Sequence, residues 1–147
     1  MARGFTIIAL ICLLAGCATT GGSDLGLTPE GRLTPCPGSP NCVSSDAGDD
    51  AHRIAPLSFG GDPEQAWQRL VDHIESAPEY TIVERRDGYL RAEARTRLLR
   101  FVDDVEFHLR PEAGQIAMRS ASRVGYSDLG ANRRRLERLR DAVDGRL

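Results

Sequence analysis

The stretch FVDDVEFHLRPEAGQIAMRSASR, residues 101–123, decides the fold. Two runs of alternating apolar and polar residues flank a short break, Pro111 to Gly114. Alternation with a period of two is typical of β-strands, and a Gly-containing break between two such runs predicts a hairpin. One predicted face of the first strand carries Phe101, Val105, Phe107 and Leu109, and the other carries Asp104, Glu106 and His108.

The segment before this hairpin predicts a second hairpin and a helix. In YTIVERRDGYLRAEARTR, residues 80–97, Asp87-Gly88 lies between two β-rich runs and predicts a two-residue turn. In DPEQAWQRLVDHIESAP, residues 62–78, Asp62 is the expected N-cap, with Pro63 in the first turn and Gln65 completing a capping box. Pro78 should end this helix. Its expected apolar face consists of Trp67, Leu70, Val71 and Ile74.

The segment after residue 123 predicts a C-terminal helix, SDLGANRRRLERLRDAV, residues 127–143. Ser127 or Asp128 is the expected cap. The expected apolar stripe consists of Leu129, Leu136, Leu139 and Val143. We therefore predict that residues 35–147 form a single α+β domain. Its four-stranded antiparallel meander would be flanked by an N-terminal and a C-terminal helix, both packed on one face.

The first residues of the 147-residue chain have the pattern of a targeting segment. Arg3 precedes an apolar run, FTIIALICLL, residues 5–14, that is too short to span a bilayer. The LAGC sequence at 14–17 resembles the lipobox of bacterial lipoproteins. This resemblance implies a signal peptide over 1–16 and an acyl anchor on Cys17, followed by a flexible tether over 17–34.

The residue after the anchor bears on the location. Ala18 is similar to the default outer-membrane sorting signal of Gram-negative lipoproteins. We expect a protein of the cell envelope, held in the lipid bilayer by its N-terminal acyl anchor. The periplasmic face of the outer membrane is the expected place.

Cys36 and Cys42 stand in TPCPGSPNCVSS, residues 34–45. An even pair in an oxidising compartment favours a disulfide that closes this Pro-containing loop. A thiol–disulfide exchange site at the same cysteines is the alternative, although exchange motifs usually separate their cysteines by two residues. A metal site would need more ligands than these two, and no other Cys or His stands nearby.

The densest polar stretch, RSASRVGYSDLGANRRR, residues 119–135, runs from the last strand into the last helix. A helix N-terminus attracts anions, and Arg119, Arg123 and Arg133 could add forked donors. The alternative is an internal network in which these arginines pair with acidic residues: Asp103, Asp104, Glu106 or Asp128. Asp103 falls in the apolar phase of its strand. It would either face the core with a cationic partner or be turned outward by a β-bulge.

The sequence offers weak catalytic signals. Ser127 lies between a strand and a helix, as a nucleophile-elbow serine does, but its spacing is not G-x-S-x-G and favours a helix cap. The three histidines, His52, His73 and His108, are scattered and have no spaced metal-ligand partners. We predict no metal and no cofactor. A net charge of −2 argues against nucleic-acid binding.

Two stretches together, CPGSPNCVSSDA at 36–47 and DDVEFHLRPEAGQIAMRSASRVGYSDLGANRRRLE at 103–137, resemble the domain of unknown function 1499 family. The resemblance covers residues 33 to 143 and supplies no activity. Members are often small bacterial lipoproteins or membrane-attached proteins. The resemblance implies these motif positions: Cys36, Ser39, Pro40, Asn41, Cys42, Ser44, Asp103, Asp104, Glu106, Arg119, Ser120, Ser122, Arg123, Gly125, Ser127, Asp128, Asn132 and Arg133.

The leading functional prediction is a non-catalytic binding or structural module with an Arg/Ser-rich anion-type site. This site requires the Cys36–Cys42 loop and the 119–133 segment to meet. Its partner would be an envelope protein or a small anionic ligand. The alternatives are a small envelope hydrolase using Ser127 or Ser44 with a His and an Asp, and the thiol–disulfide protein. The candidate ligand-binding residues are Asn41, Ser44, Asp103, Arg119, Ser120, Ser122, Arg123, Tyr126, Ser127, Asp128, Asn132 and Arg133.

Overall fold

A computed structural model describes residues 24–96 and 100–143. The expected signal peptide, the expected lipid attachment at Cys17 and the first part of the tether lie outside the described residues and stay predictions. Within the described ranges, neither helix has the length and apolarity needed to cross a membrane.

A six-stranded antiparallel sheet forms the centre of the fold. Its strands are β1 (Cys42–Ser44), β2 (Leu57–Ser58), β3 (Tyr80–Arg86), β4 (Tyr89–Arg95), β5 (Val102–Arg110) and β6 (Gln115–Ser122). The order is β1-β6-β5-β4-β3, and β2 pairs with the other end of β6. The predicted meander corresponds to β3 through β6. The prediction of four strands is wrong because β1 and β2, three and two residues long, are too short to show a period in the sequence. Both strands precede the N-terminal helix, so the predicted flanking of the whole sheet by the two helices is also inexact.

The two hairpin turns lie where the sequence places them. Asp87-Gly88 joins β3 to β4, and Gly88 has a φ of 63°, which glycine adopts at little cost. A 3₁₀ turn over Pro111–Ala113 joins β5 to β6, and Gly114 closes it at a φ of 60°. These turns set the register of the two hairpins.

Helix α1 (Pro63–Ser76) confirms the predicted N-terminal helix. The Asp62 carboxylate accepts the backbone N–H groups of Glu64 and Gln65 at 2.8 and 3.2 Å. Pro63 occupies the first turn, where a missing N–H is harmless. Helix α2 spans Ala131–Val143. Both helices contribute their apolar sides to one core on a single face of the sheet, which we call the helix face.

The core on the helix face is mostly aliphatic. Each helix contributes a predicted stripe: Trp67, Leu70, Val71 and Ile74 from α1, and Leu136, Leu139 and Val143 from α2. The strands contribute alternate residues: Leu90, Ala92, Ala94, Val105, Phe107, Leu109, Ile116 and Met118. Burial of a Leu or Phe side chain of this kind contributes about 1.5–3 kcal/mol.

Two residues of the predicted apolar faces are not in this core. Phe101 is 50% exposed and precedes β5, which begins at Val102. Leu129 is 85% exposed and precedes α2. The helix begins only at Ala131 because Gly130, at a φ of 80°, is not helical. The apolar pattern therefore extends past the ends of both elements.

The opposite face of the sheet is also buried. Asp104 and Glu106, which lie in the polar phase of β5, are 3% and 0% exposed. Residues 24–34, which we expected to belong to the flexible tether, pack on this face and are called the cover below. Leu33 of the cover packs against Tyr89 and Ala117.

The cover is closed on itself and attached to the domain by hydrogen bonds. Leu27 and Leu33 form an antiparallel bridge, and the Thr34 N–H donates to the Gly26 carbonyl. The Leu33 N–H donates to the Asp46 carboxylate at 2.8 Å, and Arg110 binds the same carboxylate. Burial alone would raise the pKa of Asp46, but these hydrogen bonds hold it below its usual value.

Candidate functional site

The two motif segments meet in the fold. β1 pairs with β6, so that Ser44 lies opposite Arg119 and Cys42 opposite Ala121. The Asn41 side-chain amide donates to the Gly125 carbonyl at 2.6 Å. The segments containing residues 39–44 and 119–133 therefore form one structural unit, which we call the motif corner.

Asn132 is the centre of the motif corner on the helix face. It is completely buried. Its amide nitrogen donates to the Asn41 carbonyl, to the Ser122 hydroxyl and to the Asp128 carboxylate at 2.9–3.0 Å. Its amide oxygen accepts the Ser120 hydroxyl at 2.6 Å. A buried amide with all of its groups bonded fixes its neighbours strongly.

Asp103 extends this network into the core. It faces the helices at 2% exposure and binds the guanidinium of Arg135. Arg135 also donates to the Asn132 amide oxygen at 2.6 Å. The pairing of β5 with β4 and β6 is continuous at Asp103 and Asp104, so the expectation of a bulge there is wrong and the expectation of a core-facing carboxylate is confirmed.

Glu106 and Arg119 form a fully buried ion pair beneath the cover. One carboxylate oxygen of Glu106 accepts Arg119 Nη1 at 2.6 Å. The other accepts the Tyr89 hydroxyl at 2.7 Å and the Gly26 N–H at 2.6 Å. Burial, followed by the charge of Glu106, raises the pKa of Tyr89, which therefore stays a donor. Arg119 Nε and Nη2 have no hydrogen-bond partner among the described residues.

Arg123 lies at the rim of the same face. It donates through Nε and Nη2 to the Asp104 carboxylate at 2.7 and 2.8 Å, and to Glu93 at 2.8 Å. The hydrogen bonds that Arg123 donates to Asp104 are the largest cause of its raised pKa. Arg91 donates to Asp104 from the other side at 3.3 Å.

The predicted arginines therefore bind within the protein. Arg133 donates to the backbone carbonyls of Ala51 and Arg53 at 2.9 and 2.7 Å, not to the acidic residue that the internal-network alternative proposed. Arg119 and Arg123 have the acidic partners that this alternative expected. The contact from Arg135 was missed, because its position in a helical run of arginines gives no sign that it alone faces the core.

The loop of residues 123–130, called the docking loop below, has a fixed backbone. The Asp128 carboxylate accepts the N–H groups of Gly130 and Asn132 at 2.9 and 2.7 Å. The Ser127 hydroxyl accepts the Leu129 N–H at 3.2 Å. Leu129 itself has a φ of 53°, a left-handed conformation that costs a leucine on the order of 1 kcal/mol. Asp128 thus caps the first turn of α2, whereas Ser127 binds an N–H group in the loop before the helix.

The docking loop exposes three large apolar side chains. Val124 is 60%, Tyr126 74% and Leu129 85% exposed. The loop is therefore polar inward, where its Asn, Asp and Ser partners lie, and apolar outward. Of the predicted ligand-binding residues, Arg123, Tyr126 and Ser127 are exposed, whereas Asn41, Ser44, Asp103, Arg119, Ser120 and Asn132 are buried.

The serines and histidines of the hydrolase alternative are not hydrogen-bonded to one another in the described part of the chain. The Ser44 hydroxyl accepts the Asp46 N–H at 3.1 Å. The His52 ring contacts the Asp49 carboxylate at 2.8 Å and the Ser39 carbonyl at 3.1 Å. Within residues 24–96 and 100–143, no cluster of three His, Cys, Asp or Glu side chains has a metal-binding arrangement.

Cys36 and Cys42 form the predicted disulfide, with their Cα atoms 5.7 Å apart. The bridge closes the loop that leads into β1, and Cys42 is 1% exposed. Closing so short a loop stabilises the fold by about 2 kcal/mol in the chain-entropy view. The disulfide thus holds Asn41 beside the docking loop.

The family model described as "Protein of unknown function (DUF1499)" matches residues 32–143. The chain belongs to this family. The match covers the motif corner and the docking loop, but begins inside the cover. Neither the curated proteins nor the solved structures contain a significant match to the chain.

Proposed function

We propose that this DUF1499 protein is a lipid-anchored protein of the bacterial cell envelope that binds a partner protein through its docking loop, without catalysis. The observation that carries the proposal is the exposure of Val124, Tyr126 and Leu129 on a backbone fixed from beneath. Large apolar side chains that stay exposed together often mark an interaction site.

The motif side chains support a binding role over a hydrolytic one. Four motif residues form their hydrogen bonds with one another and with the loop backbone: Asn41, Ser122, Asp128 and Asn132. Ser127 caps the Leu129 N–H instead of facing a base. Such an arrangement determines the shape of a loop. It does not set up a proton-transfer path.

A protein partner fits the docking loop better than a bilayer does. The hydrogen bonds to Gly125, Leu129 and Gly130 hold the three apolar side chains in one geometry before any partner binds. Such preorganisation lowers the entropic cost of filling a shaped pocket, whereas a fluid bilayer does not require it. Tyr and Arg are also enriched at protein interfaces, and Arg123 is the first residue of the loop.

The envelope location rests on the lipobox-like sequence ending at Cys17. We expect Cys17→Ala to abolish labelling by a radioactive fatty acid and to release the chain from the membrane fraction. Cys36→Ala serves as the control, because it removes a different cysteine and should leave labelling intact. Labelling that persists in Cys17→Ala would contradict the anchor.

Binding through the docking loop can be tested by site-specific photo-crosslinking in cells. A photoreactive residue at position 126 should give a discrete crosslinked species. The same residue at position 83 should not, since Val83 is an exposed apolar residue on β3, 41% exposed, outside the loop. The crosslink should also be lost in Leu129→Asp at unchanged protein level and melting temperature.

Two outcomes would contradict the docking proposal. One is crosslinking from positions 126 and 83 to the same species in equal amounts. The other is crosslinking from position 126 to lipid alone, which would assign the loop to the bilayer.

A further inference from the structure

We propose that a cationic groove binds a phosphate-bearing ligand. The groove lies between the two helices and the end of the sheet where β3 begins and β4 ends. The groove adjoins the motif corner, with Ala131 in its lining and Arg135 between the two, but none of the candidate ligand-binding residues and no residue of the docking loop lines it. It has a volume of about 1020 Å³, at the upper end of the range usual for ligand sites. Its floor is apolar, formed by Pro78, Leu139 and Ala142, with Tyr80 beside them.

The groove concentrates positive charge. Among the residues that the structure describes, five arginines and one acidic residue, Glu79, line it, although the whole chain has a net charge of −2. The lining arginines are Arg95, Arg100, Arg134, Arg135 and Arg138. A concave surface with one sign of charge focuses its field and attracts ligands of the opposite sign.

Two of these arginines are available for a ligand. The guanidinium groups of Arg100 and Arg138 have no hydrogen bond or ion pair with any residue that the structure describes; Arg100 is held only through its backbone N–H, which donates to the Thr96 carbonyl. By contrast, Arg135 binds Asp103, Arg95 binds Glu93 at 3.2 Å, and Arg134 donates to the Leu129 carbonyl at 2.8 Å. Asp103 and Glu93 offset the charges of Arg135 and Arg95, so the excess positive charge comes from the other three arginines. Of these, Arg100 and Arg138 can turn their forked N–H groups toward an anion.

The donors present suit phosphate groups. A guanidinium offers two parallel N–H groups that match two phosphate oxygens, and it stays charged at every physiological pH. Tyr80 can supply a neutral donor, because burial raises its pKa to about 12 while Arg135 and Arg138 lower it only in part. A ligand with two phosphate groups could engage both available arginines.

The position of the groove favours a soluble ligand over a lipid headgroup. The groove lies on the helix face, where α2 packs. The chain reaches the domain on the other face, where the Gly26 N–H binds Glu106. An anchor before the cover would therefore hold the opposite face toward the membrane.

The proposal can be tested on the full chain in uncharged detergent by following thermal unfolding through the fluorescence of Trp67. We expect pyrophosphate to raise the melting temperature above that in sodium chloride of equal ionic strength. The double variant Arg100→Ala/Arg138→Ala should bind pyrophosphate more weakly, so that the half-saturating pyrophosphate concentration rises at least tenfold. Both side chains lack described partners, so the variant should fold.

A matched double variant controls for the loss of two positive charges. Arg53→Ala/Arg85→Ala removes two exposed arginines outside the groove and should keep the pyrophosphate response. A second arm replaces pyrophosphate with micelles containing phosphatidylglycerol or phosphatidylcholine. A shift in melting temperature that occurs with phosphatidylglycerol but not with pyrophosphate or phosphatidylcholine, and that is lost in the groove variant, would assign the phosphate to a lipid headgroup.

Two results would overturn the proposal. The first is no shift with pyrophosphate or with phosphatidylglycerol. The second is a shift of equal size in the groove variant and in the control variant, which would mean that the anion acts on the protein's overall charge.

Discussion

The two faces of the central sheet are both buried, but by different chemistry. The helix face is covered by aliphatic side chains of α1 and α2 around Val105 and Phe107. The cover face contains a carboxylate, a guanidinium and a phenol, Glu106, Arg119 and Tyr89, each 0–1% exposed. The first face gains free energy from area removed from water. The second must recover the cost of desolvating two charges.

The difference teaches how one strand can serve two purposes. Neighbouring residues of β6, Arg119 and Ser120, are both completely buried and point to opposite faces. Ser120 holds the Asn132 network that shapes the docking loop. Arg119 forms the ion pair with Glu106, and Glu106 in turn accepts the Gly26 N–H of the cover. We infer that the apolar face supplies most of the stability, while the polar pairs specify where the loop and the cover lie.

The largest expected effect is the loss of one member of the buried pair. Arg119→Met should lower the free energy of unfolding by about 3–5 kcal/mol, because Glu106 would be left buried without its cation. Phe107→Ala, on the other face, should cost a similar amount, about 3–5 kcal/mol, through a cavity. Urea unfolding followed by circular dichroism measures both.

The double variant Glu106→Leu/Arg119→Met separates the two faces. We expect it to recover part of the stability lost in Arg119→Met, because no buried charge is then unpaired, although the Tyr89 hydroxyl and the Gly26 N–H lose their acceptor. No second substitution of this kind should rescue Phe107→Ala. If the double variant were as unstable as the sum of its single variants, the polar pair would be a main source of stability and our comparison would be wrong.

A smaller effect is expected at the rim of the cover face. Arg123→Ala should lower the free energy of unfolding by about 1 kcal/mol or less, because its side chain is 39% exposed and solvent screens its ion pairs. Arg91 still contacts Asp104 in this variant. Chemical denaturation beside Arg119→Met checks the prediction, and equal losses in the two variants would contradict it.

The smallest effect concerns pH and the cover. Burial first, and then the charge of Arg110, lower the pKa of His108 below 6.5, and hydrogen bonds lower the pKa of Asp46 below 3.8. A lowered folded-state pKa means that the folded protein binds fewer protons than the unfolded chain. The stabilisation is therefore complete above pH 6.5 and decreases as the pH falls, first through His108 and then through Asp46.

Hydrogen exchange can detect this decrease locally. The Leu33 N–H, which donates to Asp46, should lose protection below pH 6.5 relative to the Phe107 N–H on the same protein. The charged groups acting on His108 are Arg110, Asp46 and Arg86, so Asp46→Asn is an informative companion variant. Leu33 protection that increases on acidification would show that the sign is wrong.

The local elements could be predicted because their signals lie within the elements. Asp62, Pro63 and Pro78 bound α1, and Gly88 and Gly114 mark turns that need a positive φ. The disulfide followed from two cysteines and an inferred compartment. Each of these inferences uses residues close together in sequence, where capping, turn and loop-closure rules apply.

The contacts that depend on distant residues could not be predicted. Glu106 lies in the polar phase of its strand, a pattern typical of solvated residues. It is buried because the segment at Gly26, 80 residues earlier in the chain, packs over it. Leu129 matches the helical stripe. It lies before the helix, however, in a turn in which the Gly130 N–H donates to the Asp128 carboxylate. The internal use of the candidate site likewise depends on Asn132 and Arg135 reaching back to β5 and β6.

The cover also determines how the protein responds to mechanical force. The cover, residues 24–34, precedes β1 in the chain, so a pull on the N-terminus reaches the cover before it reaches any strand. The bonds of Gly26 to Glu106 and of Leu33 to Asp46 would break one after the other, as in peeling, while the six strands stay paired. We expect the cover to detach first under tension. Its detachment would expose the Glu106–Arg119 pair to solvent while the sheet is still intact.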